Sequence, residues 1–242
     1  TGNSRYVANE LARITGDDII NLADVHEPAS MPGAVRIIWV FPVYSWGVPP
    51  VVVRRIERMK LPAGVPCWMV CTCGDDVGLA PGQWRSLMLG AGGNPRGAFS
   101  VEMPNTYVTF PGFDVDPSAV AEHKLQLAPS RISRIASMIE DGFDGDDVVR
   151  GRFAWVKSRL IYPWFIRHAM SPVPFFSTDA CVGCGRCVRQ CPMHNIELTA
   201  DRRPVWGKDC AFCLRCYHTC PHHAVGYGRF TKGKGQYLCP VQ

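Results

Sequence analysis

Cys181, Cys184, Cys187 and Cys191 precede Pro192, and Cys210, Cys213, Cys216 and Cys220 precede Pro221. The run Cys-x-x-Cys-x-x-Cys-x-x-x-Cys-Pro therefore occurs twice in the last quarter of a 242-residue chain. Thiolates at this interval hold iron–sulfur cubes. Three cysteines separated by two residues can curl around one corner of a cluster, and the fourth, carried onto a short helix, points away from its own trio. Zinc is the competing chemistry, because paired Cys-x-x-Cys units bind it. A zinc ion needs only four ligands, however, and a third cysteine at the same interval, with Cys-Pro in both copies, exceeds that pattern. Disulfides are the weaker alternative, since this much thiol without a secretion signal points to a reducing compartment.

The elements around these runs read as a small repeated module. Phe175 to Thr178, Asn195 to Thr199, Arg203 to Trp206 and Ala224 to Tyr227 are short strand candidates, and each cysteine run sits between two of them. So little apolar core implies that metal–thiolate bonds supply much of the folding free energy. The run resembles that of bacterial two-cluster ferredoxins. The resemblance implies two [4Fe–4S] clusters, one on Cys181, Cys184, Cys187 and Cys220 and the other on Cys210, Cys213, Cys216 and Cys191.

The first 110 residues alternate helix and strand: a helix over Asn3 to Thr15, a short strand over Asp18 to Leu22, and a buried strand over Val35 to Val43. A helix over Val51 to Met59, a strand over Val65 to Cys71, a helix over Gln83 to Leu89 and a strand over Gly97 to Met103 follow. Continuous apolar runs between amphipathic segments predict a parallel sheet wrapped by helices. Asp116 to Ile139 reads as two helical pieces broken at Pro129, and Asp141 to Asp147 as a Gly/Asp turn. Arg152 to Phe176 is rich in Trp, Phe, Tyr and Pro; its aromatics are expected to pack the seam between two domains rather than form a membrane-surface or partner-docking stripe. The expected organisation is an α/β domain at 1–150, an aromatic linker at 151–175 and an α+β cluster domain at 176–242.

Thr1-Gly2-Asn3-Ser4 opens a helix, where small residues and free N–H groups suit an anion, although a plain N-cap by Ser4 explains them equally. Pro42-Val43-Tyr44-Ser45-Trp46-Gly47 follows one buried strand and Thr72-Cys73-Gly74 the next. These three segments resemble the flavin loops of the flavodoxin fold. With Met103-Pro104-Asn105-Thr106-Tyr107 and the cysteine module, the chain resembles the flavodoxin–ferredoxin fusion proteins of anaerobic bacteria and archaea. The resemblance implies a doubly wound flavodoxin-like sheet and one FMN at the strands' carboxyl ends. Thr1, Gly2, Asn3 and Ser4 would take its phosphate, Tyr44 and Trp46 would flank the ring, and Thr72, Cys73 and Gly74 would offer backbone groups to the ring edge. Two departures stand out. Asp75 and Asp76 would place carboxylates near the ring and lower its potential. The first strand of a 2-1-3-4-5 sheet is also missing from the chain, so a short apolar strand is expected before Thr1.

Cys67 and Cys71 read as small core residues, and Cys73 as a backbone contact; Cys239 has no assignment. His194, His218, His222 and His223 crowd the cluster runs as solvent-facing or hydrogen-bonding residues. The net charge of +5 comes wholly from Phe176 to Gln242, where nine Lys/Arg face four Asp/Glu. It offsets cluster charge, and an acidic redox partner near Arg229, Lys232 and Lys234 is the sharper reading. No nucleic-acid-binding element accompanies it. No run of about 20 apolar residues spans a membrane, and a cytoplasmic location is expected. No Gly-x-Gly-x-x-Gly fingerprint follows a strand, so electrons should arrive from a protein. The expected function is electron transfer between the clusters and FMN, converting one- and two-electron traffic. The alternatives are an FMN-dependent reductase fed by the clusters and, less favoured, a redox or oxygen sensor.

Overall fold

The computed structural model describes residues 1–24, 31, 33–59 and 61–240. Four parallel strands form the main sheet in the order β1-β2-β3-β4: β1 (Ile37–Pro42), β2 (Pro66–Cys73), β3 (Asn94–Glu102) and β4 (Gly145–Asp147). Helices cover both faces. On one, α1 (Asn3–Thr15) and α4 (Ser118–Glu140) bury Val7, Leu11, Ile132, Ile135 and Ile139 against Val70, Phe99 and Val101. On the other, α2 (Pro50–Arg58) and α3 (Ala80–Gly90) bury Val52, Ile56, Trp84 and Met88 against Phe41, Met69 and Cys71. β2 is buried at seven of its eight residues, as a strand covered on both faces must be.

Three expectations need correction. Asp18–Leu22 forms no strand, since no strand among the described residues lies beside it to satisfy its backbone. Pro129 does not break α4, which runs through it. The proline forfeits one helical hydrogen bond, but Ala128, Ile132 and Ala136 are locked into the core around it. The Gly/Asp turn carries β4, because Gly145, at φ 152°, brings Asp146 and Asp147 alongside Ala98 and Phe99. Among the described residues the sheet runs unbroken from β1 to β4. The outer edge of β1 is unpaired among the described residues and forms one wall of a cavity between α1 and α2.

The connection runs through α5 (Ala154–Val156), a π-helical turn (Lys157–Ile161) and α6 (Tyr162–His168). The cluster module follows as two antiparallel ribbons, β5 (Phe175–Ser177) with β8 (Val225–Tyr227) and β6 (Ile196–Leu198) with β7 (Pro204–Trp206). Its short helices are α7 (Arg186–Arg189) and α8 (Arg215–His218). The four strand segments lie where the repeat placed them. The chain then returns to the α/β domain: Cys239 is buried in the α1–α4 core, and its N–H donates to the Thr1 carbonyl at 2.9 Å. No helix among the described residues is long and apolar enough to cross a membrane.

Candidate functional site: two cysteine pockets and a shared cavity

The local backbone builds the cysteine runs twice over. Each short helix starts from a left-handed residue, Gly185 (φ 70°) or Leu214 (φ 57°), which turns the loop sharply enough for the third cysteine to begin a helix. Each fourth cysteine is followed three residues on by a left-handed histidine, His194 or His223, both at φ 49°. The N–H of the next residue then donates to that cysteine's sulfur: Asn195 to Cys191 at 3.4 Å and Ala224 to Cys220 at 3.3 Å.

The fourth cysteines cross over. Cys181, Cys184, Cys187 and Cys220 line one small pocket, closed by Leu198, Pro204 and Val225. Cys191 lies close enough to Cys210, Cys213 and Cys216 to act electrostatically on all three. Burial pushes the Cys210 thiol up to about 11 and raises Cys213, Cys216 and Cys187 as well. Bound metal would therefore have to draw these protons off. Two further donors point at sulfur, the Phe212 N–H at Cys210 (3.3 Å) and the Trp206 Nε1–H at Cys216 (3.4 Å). Such bonds favour thiolate character and tune a cluster's potential.

Among the described residues, no three His, Cys, Asp or Glu side chains converge on a single-ion site. A tetrahedral zinc with bonds of about 2.3 Å would draw its sulfurs to within about 4 Å of one another. A cube of iron and sulfide inserts its own core and holds the thiolates wider apart. Eight thiols in two sets of four match the ligand count of two such cubes.

Cys213 of the second set borders a much larger space. A cavity of about 1400 Å³ is lined by Thr1–Ser4, Pro42–Trp46, Thr72–Asp76, Met103–Tyr107 and Ala211–Arg215, Cys213 included. The tertiary structure thus brings the predicted flavin loops to one cavity, with Gly47 packed behind them. Gly2, at φ 107°, caps α1, and Ser4 does not: its Oγ lies 2.8 Å from Thr72 Oγ1, tying the first loop to the third. Asn3 is buried; its Nδ2 donates to the Pro104 carbonyl at 2.9 Å, while its Oδ1 lacks a hydrogen-bond partner. A buried amide oxygen left unpaired costs about 1–3 kcal/mol, and a ligand bearing a donor would recover that.

Ser45 (φ 45°) and Trp46 (φ 65°) are both left-handed, inside a two-residue turn closed by reciprocal bonds between Tyr44 and Gly47. Strain at two non-glycine residues persists only where the surroundings impose it. Here Gly47 lies flush against the Tyr162 ring, the Tyr162 hydroxyl donates to the Val48 carbonyl at 2.6 Å, and Ser158 Oγ donates to the Trp46 carbonyl at 2.8 Å. Tyr44 packs toward the cluster module. Protein crowding, and after it Cys213 and Cys210, raises its phenol well above the usual value. Tyr44 thus brings the loop after β1 up to the second cysteine run. Trp46 instead receives the Lys157 ammonium 4.9 Å from its ring centroid.

Thr72, Cys73 and Gly74 are tied into the surrounding structure through their carbonyls. Their carbonyls already accept from Val43 N–H (2.9 Å), Met103 N–H (2.8 Å) and Lys124 Nζ (2.7 Å). The Cys73 thiol faces Val101 in the core. Asp76 pairs with Lys157, whose Nζ lies 2.5 Å from its Oδ2, and the ion pair offsets its charge. The Lys234 ammonium donates to the carbonyls of Val108 (2.8 Å) and Phe110 (2.6 Å).

Sequence reasoning missed Lys124, which bridges Gly74 to Asp116, and the cation pair Arg5 and Arg215 beside the start of α1. Nothing in their spacing marks them, as each belongs to an ordinary helix. His218 was expected to be solvent-facing or hydrogen-bonded. It is buried, donates from Nε2 to the Thr106 carbonyl at 2.8 Å and accepts from Tyr237 N–H at Nδ1 at 3.1 Å. Burial pushes its imidazole down to about 4, so it is neutral near pH 7. The other three cluster-side histidines are exposed. Cys67 and Cys71 are buried, and desolvation pushes the Cys71 thiol up to about 12.

No curated protein matches the chain. Residues 180–225 match the family of 4Fe-4S dicluster domains, so the small C-terminal domain is an iron–sulfur domain of that kind, built beside an α/β domain with a parallel sheet.

Proposed function

We propose that the chain is an electron carrier in which two [4Fe–4S] clusters exchange electrons with one FMN. The observation that carries this reading is the shared cavity. Cys213 and its neighbours Ala211–Arg215 line the same space as the α1 N-terminus and the loops after β1 and β2. When bound, FMN supplies a centre able to take electrons singly and give them in pairs. The N-terminal N–H groups of α1, with Arg5 and Arg215 nearby, would hold its phosphate. Tyr44 would fill the space between ring and second cluster, keeping water out. Cys210, Cys213, Cys216 and Cys191 would hold the cluster beside the flavin, and Cys181, Cys184, Cys187 and Cys220 the outer one. Cys184 is exposed, so the outer cluster would meet a redox partner. Ile161, Trp164 and Phe165 also line the cavity, which favours a capped carrier over a reductase open to a small substrate.

Anaerobic reconstitution with iron, sulfide and FMN tests the proposal. About eight irons and about one FMN per chain are expected, with flavin reduction following cluster reduction. Two zincs and no flavin would overturn it.

A further inference from the structure

Residues 148–178 contain Arg150, Arg152, Lys157, Arg159 and Arg167 and not one Asp or Glu. Within this stretch the connection between the domains presents two different faces. Ala154, Ser158, Tyr162 and Phe165, spaced four, four and three residues apart, turn inward. Ser158 and Tyr162 hydrogen-bond to the Trp46 and Val48 carbonyls, and Phe165 packs edge-on against Tyr107 and Phe212. The expected seam packing is provided by this stripe, with Ile166, Ala169 and Met170 beyond it.

The outward face is apolar as well. Phe153 is 72% exposed, Trp155 61%, Leu160 57% and Trp164 50%, with Val156 and Ile161 also exposed. A connection that only sealed the seam would need one apolar face, and its solvent side would be polar. Arg152, Arg159 and Arg167 share the exposed side and have no carboxylate partner among the described residues. Arg150 and Lys157 are engaged by Asp146 and Asp76.

We propose that this outward face is an interfacial anchor that lays the protein on an anionic lipid bilayer without crossing it. The two tryptophans suit the headgroup boundary, and Leu160 and Phe153 the acyl region just below it. Arginines interspersed among them keep their charge at the phosphates while their stems lie along the apolar surface. Arg152, Arg159 and Arg167, unpaired on this face in a stretch of 31 residues without a carboxylate, supply the charge complementarity that an anionic surface requires. Ile161 and Trp164 also border the large cavity, so docking would bring its mouth to the membrane surface.

Flotation of the full reconstituted chain with vesicles is the test, using phosphatidylcholine alone and phosphatidylcholine with about 30% phosphatidylglycerol, an anionic lipid. Binding to the anionic vesicles is expected at least about tenfold tighter than to the neutral ones, and weakened by high salt. Two double variants separate the contributions. Trp155→Ser with Leu160→Ser should lose about tenfold or more in partitioning, and Arg159→Glu with Arg167→Glu at least as much. All four side chains are exposed and none lines the cavity, so circular dichroism and visible absorbance should stay unchanged. Failure to bind either vesicle overturns the proposal. So does anionic binding that survives the Trp155 and Leu160 changes, which would mean adhesion through another basic surface. Self-association that depends on Trp155 and Leu160, without vesicle binding, would overturn it too and reassign the face to a protein contact. None of these outcomes alters iron or flavin content, so the electron-transfer reading is judged separately.

Discussion

Replacing Trp206 with Phe should lower the reduction potential of the cluster held by Cys210, Cys213, Cys216 and Cys191. The indole Nε1–H donates to Cys216 Sγ at 3.4 Å, and the Trp206 ring stacks on Phe175 at 5.4 Å with 15° between the planes. Phenylalanine keeps the stacked ring and removes only the donor. Reduction adds negative charge to the cluster, so a donor at sulfur stabilises the reduced state more than the oxidised one. A long N–H···S bond of this kind should differ between the two states by about 0.5–1 kcal/mol, within the range of net hydrogen-bond contributions. At about 59 mV per 1.4 kcal/mol for one electron, the expected shift is about 20–40 mV downward. Anaerobic titration followed by electron paramagnetic resonance reads it, with the outer cluster as internal control. An unchanged or raised potential, with iron content intact, would refute the argument that this contact tunes the centre.

Three further outcomes are expected. Cys191→Ala should disturb the centre that Trp206→Phe shifts, and Cys220→Ala the other one; spectra showing each change acting on its own run's trio would contradict the crossed arrangement. His218→Phe should destabilise the join between the domains by about 2–4 kcal/mol, because the Thr106 carbonyl and the Tyr237 N–H both lose a buried partner; urea unfolding followed separately by visible absorbance and by circular dichroism should then resolve two transitions. Gly47→Ala should cost about 1–3 kcal/mol, since the new methyl meets the Tyr162 ring; a melting temperature equal to that of the parent would contradict the observed packing.

The cysteine runs announced their chemistry because metal ligation is written in local spacing, and a local turn of backbone suffices to present three sulfurs. The same holds for α1, whose start at Asn3 and end at Thr15 follow from Gly2, Gly16 and the stripe of Val7 and Leu11. Local signals misled where long-range partners decide. Asp18–Leu22 has strand-like residues and no strand to pair with, whereas Pro129 sits in a helix that core packing holds together. The Gly/Asp turn became β4 because β3 offered it an edge.

Charge was the least legible property. Asp76 read from sequence as a bare carboxylate beside a ring, yet folding pairs it with Lys157. Aromatic content likewise predicted a seam without saying which rings would fill it, and only packing sent Tyr162 and Phe165 inward and left Trp155 and Trp164 outside. Sequence by itself determined the inventory: eight paired-run thiols, alternating buried strands and helices, and a basic aromatic connection. Tertiary structure alone decided which of these meet, because the crossing of Cys191 and Cys220, the approach of Cys213 to the α1 N-terminus and the burial of His218 each join segments far apart along the chain. Spacing along a backbone cannot encode contacts that packing between separate elements creates.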